Sequence, residues 1–87
     1  MYVILVYDVA SRRGGKLLRL CRRYLHWIQN SVFEGTLTES NYKKLLQEAK
    51  DIMDLTEDSL IIFRNRSEHY LEKELFGVEK GPTDQFL

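Results

Sequence analysis

Directly after Met1, the run Tyr2-Val3-Ile4-Leu5-Val6-Tyr7 is β-branched, aliphatic or aromatic with no polar break. Such a run predicts a strand buried on both faces. Asp8 closes it. From Lys16 onward the apolar residues Leu17, Leu18, Cys21, Tyr24, Leu25 and Ile28 return at helical spacing, while Lys16, Arg19 and Arg23 fall on another face. Gly14-Gly15 is expected to end the loop before this helix. Residues 26–29 and 32–37 predict two strands, joined by Asn30-Ser31 as a two-residue hairpin turn. Thr38 predicts an N-cap, and Tyr42, Leu45, Leu46, Ala49, Ile52 and Met53 trace the apolar stripe of a second helix reaching about Asp54. After Thr56-Glu57-Asp58, residues 59–64 predict a further buried strand.

The order βαββαβ is that of an α+β, ferredoxin-like domain, with a four-stranded antiparallel sheet and two helices on one face. The other face should then be wet. Both alternating sets of the first strand are nevertheless apolar, as are both sets around Leu60 to Phe63. A chain this short has little left to cover that second face, so the pattern predicts a homodimer packed sheet to sheet about a twofold axis. Tyr7, Phe33 and Phe63 are the aromatic residues expected at its interface. Beyond the last core strand, Tyr70, Leu71, Leu75 and Phe76 fit either a short helical stretch or, as favoured here, an additional C-terminal strand over 71–76. Gly77, Gly81 and Pro82 mark turns. Residues from about 65 to 87 thus form an extension expected to contribute to dimer or partner contacts, its end carrying Phe86 and Leu87.

Length and composition narrow the class. At 87 residues, with 44% hydrophobic and 30% charged residues, there is room for one domain with one core. The opening apolar run is too short to span a membrane and lacks a signal peptide's charged start, so no membrane partner and a cytoplasmic location are expected. The single cysteine, Cys21, excludes an internal disulfide and falls on the apolar face of the first helix, as a core residue would. Formal net charge is zero, yet its distribution is uneven. Residues 1–30 hold Arg12, Arg13, Lys16, Arg19, Arg22 and Arg23 against one acid, Asp8. A local basic surface sets the field that phosphates feel, so a nucleic-acid partner is compatible with the zero total.

Asp8 is the most suggestive single residue, because it sits where a buried strand ends and a loop begins. A turn-capping acid would look the same. With the first strand near a dimer axis, however, two copies of Asp8 could approach each other, and paired carboxylates share a proton or hold a cation such as Mg2+. Arg12, Arg13 and Lys16 flank a helix N-terminus that offers free amides, and with Arg19 and Arg23 from the same basic part of the chain they are the candidate nucleic-acid contacts. His26 and His69 lack metal-ligand spacing. Trp27 could stack on bases, although strand aromatics more often serve a core or an interface.

Several segments together resemble one family. Residues 2–9 look like the opening strand and aspartate of the CRISPR-associated "Cas two" proteins, and Gln29-Asn30-Ser31-Val32-Phe33-Glu34-Gly35 is similar to that family's second signature. Leu37-Thr38 and the segment Asp58 to Phe63 match as well. The resemblance implies a homodimeric ferredoxin-like protein of spacer acquisition in antiviral defence, bridging two dimers of the integrase subunit "Cas one" with protospacer DNA across the assembly. It also implies, for some members, magnesium-dependent endonuclease action on single-stranded RNA or duplex DNA, with Asp8 at the catalytic, metal-ligating position. Trp27 and Ala10-Ser11 depart from the pattern associated with cleavage. A stand-alone toxin-like ribonuclease of the same fold is the alternative, and an RNA-binding module has less support, since no strand of stacking aromatics is present.

Overall fold

In the computed structural model, residues 1–66 and 72–81 are described. Strand β1 spans Tyr2–Asp8, helix α1 Ser11–Tyr24, β2 His26–Gln29, β3 Val32–Thr36, α2 Glu39–Ile52 and β4 Ser59–Asn65. The strands form one antiparallel sheet in the order β2-β3-β1-β4. This is the ferredoxin-like α+β arrangement, with the first apolar run at the centre of the sheet.

Strand alternation sorts β1 into two sets. Val3, Leu5 and Tyr7 are buried and share a core with Leu17, Leu20 and Cys21 of α1, Leu45 and Ala49 of α2, and Phe33 of β3. Both helices therefore cover this face. Tyr2, Ile4, Val6 and Asp8 belong to the opposite face, where Ile4 pairs with Phe63 and Val6 with Ile61. Ile61 and Phe63 remain 53% and 58% exposed. The second apolar face thus exists, but two of its three expected aromatics belong elsewhere. Tyr7 and Phe33 stack in the core with ring centroids 5.9 Å apart, and Phe33 is fully buried, so of the three only Phe63 stands on the open face.

Local signals account for most boundaries. Asn30 adopts φ 46° in the turn between β2 and β3, a conformation that Asn tolerates at little cost. Thr38 caps α2 by accepting the Asn41 amide on Oγ1 at 3.1 Å. Helix α1 starts at Ser11, earlier than expected, and Gly14 and Gly15 lie inside it rather than ahead of it. Its N-cap, Ala10, has no side-chain acceptor and its first turn contains no acid. The charge and hydrogen bonds that meet this start come from elsewhere in the fold, at Asp58.

Residues 72–76 form no strand, in contrast to the expectation for 71–76, and Leu71 and the terminal 82–87 lie outside the described residues. Glu72-Lys73-Glu74 places three charges in succession, and the segment is exposed. It stays beside β2 and β3: Lys73 Nζ pairs with Glu34 Oε2 at 3.1 Å. At Gly81 a Cβ would clash with the Trp27 carbonyl oxygen and lie 2.6 Å from that of Ile28. Backbone meets backbone there, and no side chain fits. Among the described residues, no helix is long and apolar enough to cross a membrane.

Candidate functional site

Asp8 is the last residue of β1, pairs in register with Ser59 at the start of β4, and is exposed. Its place in the alternation puts it on the same face as Ile4 and Val6. Two residues later the chain enters α1, so the carboxylate sits on a short link between two regular elements.

That link is held from β4. Asp58, immediately before the strand, has a side chain with no exposed surface. Its Oδ1 accepts the Ala10 amide at 3.0 Å and Arg13 Nη2 at 2.9 Å. Its Oδ2 accepts Arg13 Nε at 2.6 Å and the Asp54 amide at 2.9 Å. The Arg13 guanidinium holds the Asp58 carboxyl far below the usual carboxylate range, outweighing burial, with help from the Asp54 and Ala10 amides. Reciprocally, hydrogen bonds to Asp58 and Glu57 push Arg13 up. Arg13 also contacts Glu57, which binds Arg12 Nη2 at 2.7 Å. Asp58 therefore ties the entry of α1 to the segment leading into β4, placing negative charge beside a helix start that carries two arginines and no acid of its own.

The five basic residues expected to meet phosphates are split by this arrangement. Arg13 is a correction: with a side chain 15% exposed and spent on Asp58 and Glu57, it is an internal anchor. Arg12 pairs with Glu57 but keeps a side chain 68% exposed. Lys16, Arg19 and Arg23 are exposed and line a shallow groove between the helices with Leu20 and Ile52. Glu48 lies 3.7 Å from Arg23 and accepts the Tyr24 hydroxyl at 2.6 Å. Asp8 and the groove cations thus belong to opposite faces of the layered fold.

Other candidates resolve as structure. Cys21 is fully buried and burial pushes its thiol up to about 12, which leaves no thiolate at neutral pH. Trp27 packs against the core, donates Nε1–H to the Asn30 carbonyl at 2.8 Å and carries the Arg22 guanidinium 5.5 Å from its ring centre. It is occupied rather than presented to bases. Sequence reasoning missed Asp58 and Glu57 as partners of the loop, because a contact between residues 45 apart leaves no local periodicity. The available signal was an uncapped, acid-free helix start that needed a carboxylate from somewhere.

Comparison with known proteins agrees with this architecture. The family model described as CRISPR associated protein Cas2 matches residues 1–73. A Frankia alni protein named CRISPR-associated endoribonuclease Cas2 is 47% identical over 87 residues, covering all of both chains. One of the same name from Dictyoglomus turgidum is 46% identical with equal coverage. Among solved structures, a crystal structure of cas2 superposes with a TM-score of 0.85 and 36% identity over 97% of this chain and 94% of that one. Streptococcus pyogenes Cas2 at pH 6.5 superposes with a TM-score of 0.74 and 25% identity, covering 87% of this chain and 100% of that one. With matches of this extent to sequence and fold alike, the chain belongs to the CRISPR associated protein Cas2 family.

Proposed function

We propose that this chain acts in the cytoplasm as a homodimeric, nucleic-acid-binding subunit of CRISPR spacer acquisition. In that role it bridges dimers of the integrase subunit, binds protospacer DNA and hydrolyses a phosphodiester bond with Mg2+ held at Asp8. The observation that carries this reading is the position of Asp8, exposed at the end of the central strand and on the sheet face where Ile61 and Phe63 are uncovered. A second copy stacked on that face about a twofold axis brings a second Asp8 to the same side of the sheet.

The donor set suits the ion only in such a pair. Among the described residues there is no group of three or more His, Cys, Asp or Glu placed to hold a metal. Magnesium is typically bound through one or two carboxylates, with water and phosphate oxygens completing its shell. Two Asp8 carboxylates, one from each copy, fit that description. When bound, the ion supplies a polarised water and neutralises charge developing on the phosphate. Asp8 holds and orients it and the apolar face keeps the two carboxylates in register, while the exposed cations Arg12, Lys16, Arg19 and Arg23, on the helix side of the layer, hold a stretch of phosphate backbone away from the one at Asp8. The relatives' name supports RNA as one substrate, and the basic groove supports duplex DNA as a ligand.

The test is cleavage of labelled single-stranded RNA and duplex DNA with and without magnesium, beside capture of the integrase subunit from the same host. Expected are magnesium-dependent cleavage that Asp8→Asn abolishes and integrase capture that it spares. Cleavage untouched by Asp8→Asn would overturn the catalytic part. Failure to capture the integrase subunit would overturn the bridging part and favour the toxin-like ribonuclease.

A further inference from the structure

The link between Asp8 and α1 is two residues long, and both of its ends are tied to one short segment. Asp8 pairs with Ser59 at the start of β4. The next residue back, Asp58, takes the Ala10 amide on one carboxylate oxygen and grips Arg13 with both. Arg13 in turn donates its own amide to the Ala10 carbonyl at 2.9 Å. Val9, between the two anchors, packs against the core. Asp58 is itself held by the Asp54 amide and donates its backbone N–H to the Asp54 carbonyl at 2.8 Å.

We infer that Asp58, acting with Arg13, is a positioning residue that sets where the Asp8 carboxylate stands, which rests on the reading of Asp8 given above. A strand end frays unless the next residues are bonded, and here the three residues that could move Asp8, namely Val9, Ala10 and Ser11, have their exit fixed by a buried carboxylate. Nothing in the local sequence does this, because Ala10 offers no side-chain cap. The buried pair is also costly to break from the Arg13 side, since the enclosed Asp58 carboxylate is then left with two amide donors and no counter-charge, whereas Arg13 without Asp58 keeps Glu57. The loop therefore has one strongly preferred geometry, as a group that must meet its counterpart across a twofold axis requires.

The test uses the full-length chain and Asp58→Asn, which keeps an oxygen for the Ala10 amide but gives up the charge that holds Arg13. Arg13→Gln breaks the same pair from the other side, should the first variant fail to fold. Two quantities are read: the carboxyl carbon resonance of Asp8 in labelled protein, and kcat and KM for single-stranded RNA in magnesium. The backbone amides of Leu5 and Ile62, opposed in mid-sheet, serve as controls. The Asp8 resonance should move while the two control amides hold. In parallel kcat should fall about ten- to hundredfold, with KM within about twofold, because binding by the basic surface is untouched. An unmoved Asp8 resonance in a folded variant overturns the inference. So does loss of folding in both variants, since the pair would then be architecture alone. A wild-type chain without Asp8-dependent cleavage sinks the functional reading instead, and the resonance by itself then decides the role of Asp58.

Discussion

Ile4 of β1 and Phe63 of β4 stand opposite each other in register on the sheet face away from the helices, and Phe63 keeps more than half its surface exposed. An apolar cross-strand pair at the middle of a sheet gains nothing from water. Light scattering at micromolar concentration should give about twice the 10.3 kDa chain mass. Phe63→Glu should shift the population to monomer, because an aromatic side chain worth about 2 kcal/mol when buried is replaced by a charge in each copy. A clean wild-type monomer would remove the dimer from the functional reading.

Phe33 and Phe63 provide a contrast within one residue type. Phe33→Ala should destabilise the fold by about 3–5 kcal/mol, as expected for emptying a packed core site. Phe63→Ala should leave the stability of the monomer nearly unchanged and weaken association instead. Denaturant unfolding at protein concentrations above and below the dimerisation range separates the two. Equal losses for both variants would contradict the assignment of faces.

The basic residues should separate in the same manner. Replacing Lys16, Arg19 and Arg23 with Ala should weaken duplex DNA binding across sequences and reduce its salt slope by about one unit for each phosphate no longer neutralised. Arg13→Ala should act on stability, because it strands the enclosed Asp58 carboxylate. An unchanged salt slope in the triple variant would count against the groove as a phosphate surface.

Acid should undo the Asp58 clamp. Its carboxyl is held well below the usual value in the folded chain, by Arg13 first, so its contribution to stability is complete above the unfolded-state value of about 3.9. That contribution is lost as pH falls from there toward the folded-state value. Asp58→Asn should flatten the stability profile below about pH 4 and be destabilising at pH 7. Unfolding curves collected from pH 2 to 7 would show it, and an unaltered acid limb would disprove it.

Gly14 lies in the first half of α1 with nothing within 4 Å of where a Cβ would sit. Gly14→Ala should therefore stabilise by about 0.5–1 kcal/mol, through helix propensity and a less flexible unfolded chain. A lower melting temperature would contradict the open space beside this turn of the helix.

The element order was legible because its signals are local: an uninterrupted apolar strand, two helical stripes, Asn30-Ser31 as a turn and Thr38 as a cap. The assignment of faces was not. Tyr2, Ile4 and Val6 are as apolar as Val3, Leu5 and Tyr7, so alternation alone could not say which set meets the helices, and Tyr7 and Phe33 were expected on the wrong side. The start of α1 and the true duty of Arg13 depend on Asp58, a partner distant in sequence. Glycines at 14 and 15 look like loop residues, and the carboxylate that meets the helix ahead of them is remote in sequence.

The approach of Gly81 to the Trp27 and Ile28 carbonyls has a bearing on solubility in a crowded cell. β2 is a margin of the sheet, and a bare margin is a template for any passing extended chain. At Gly81 main chain is pressed against the Trp27 and Ile28 carbonyls of that margin, which leaves a passing strand no room there. Endless edge-to-edge growth of sheets requires two open margins per molecule. By obstructing one of them, the main chain at Gly81 works against such growth.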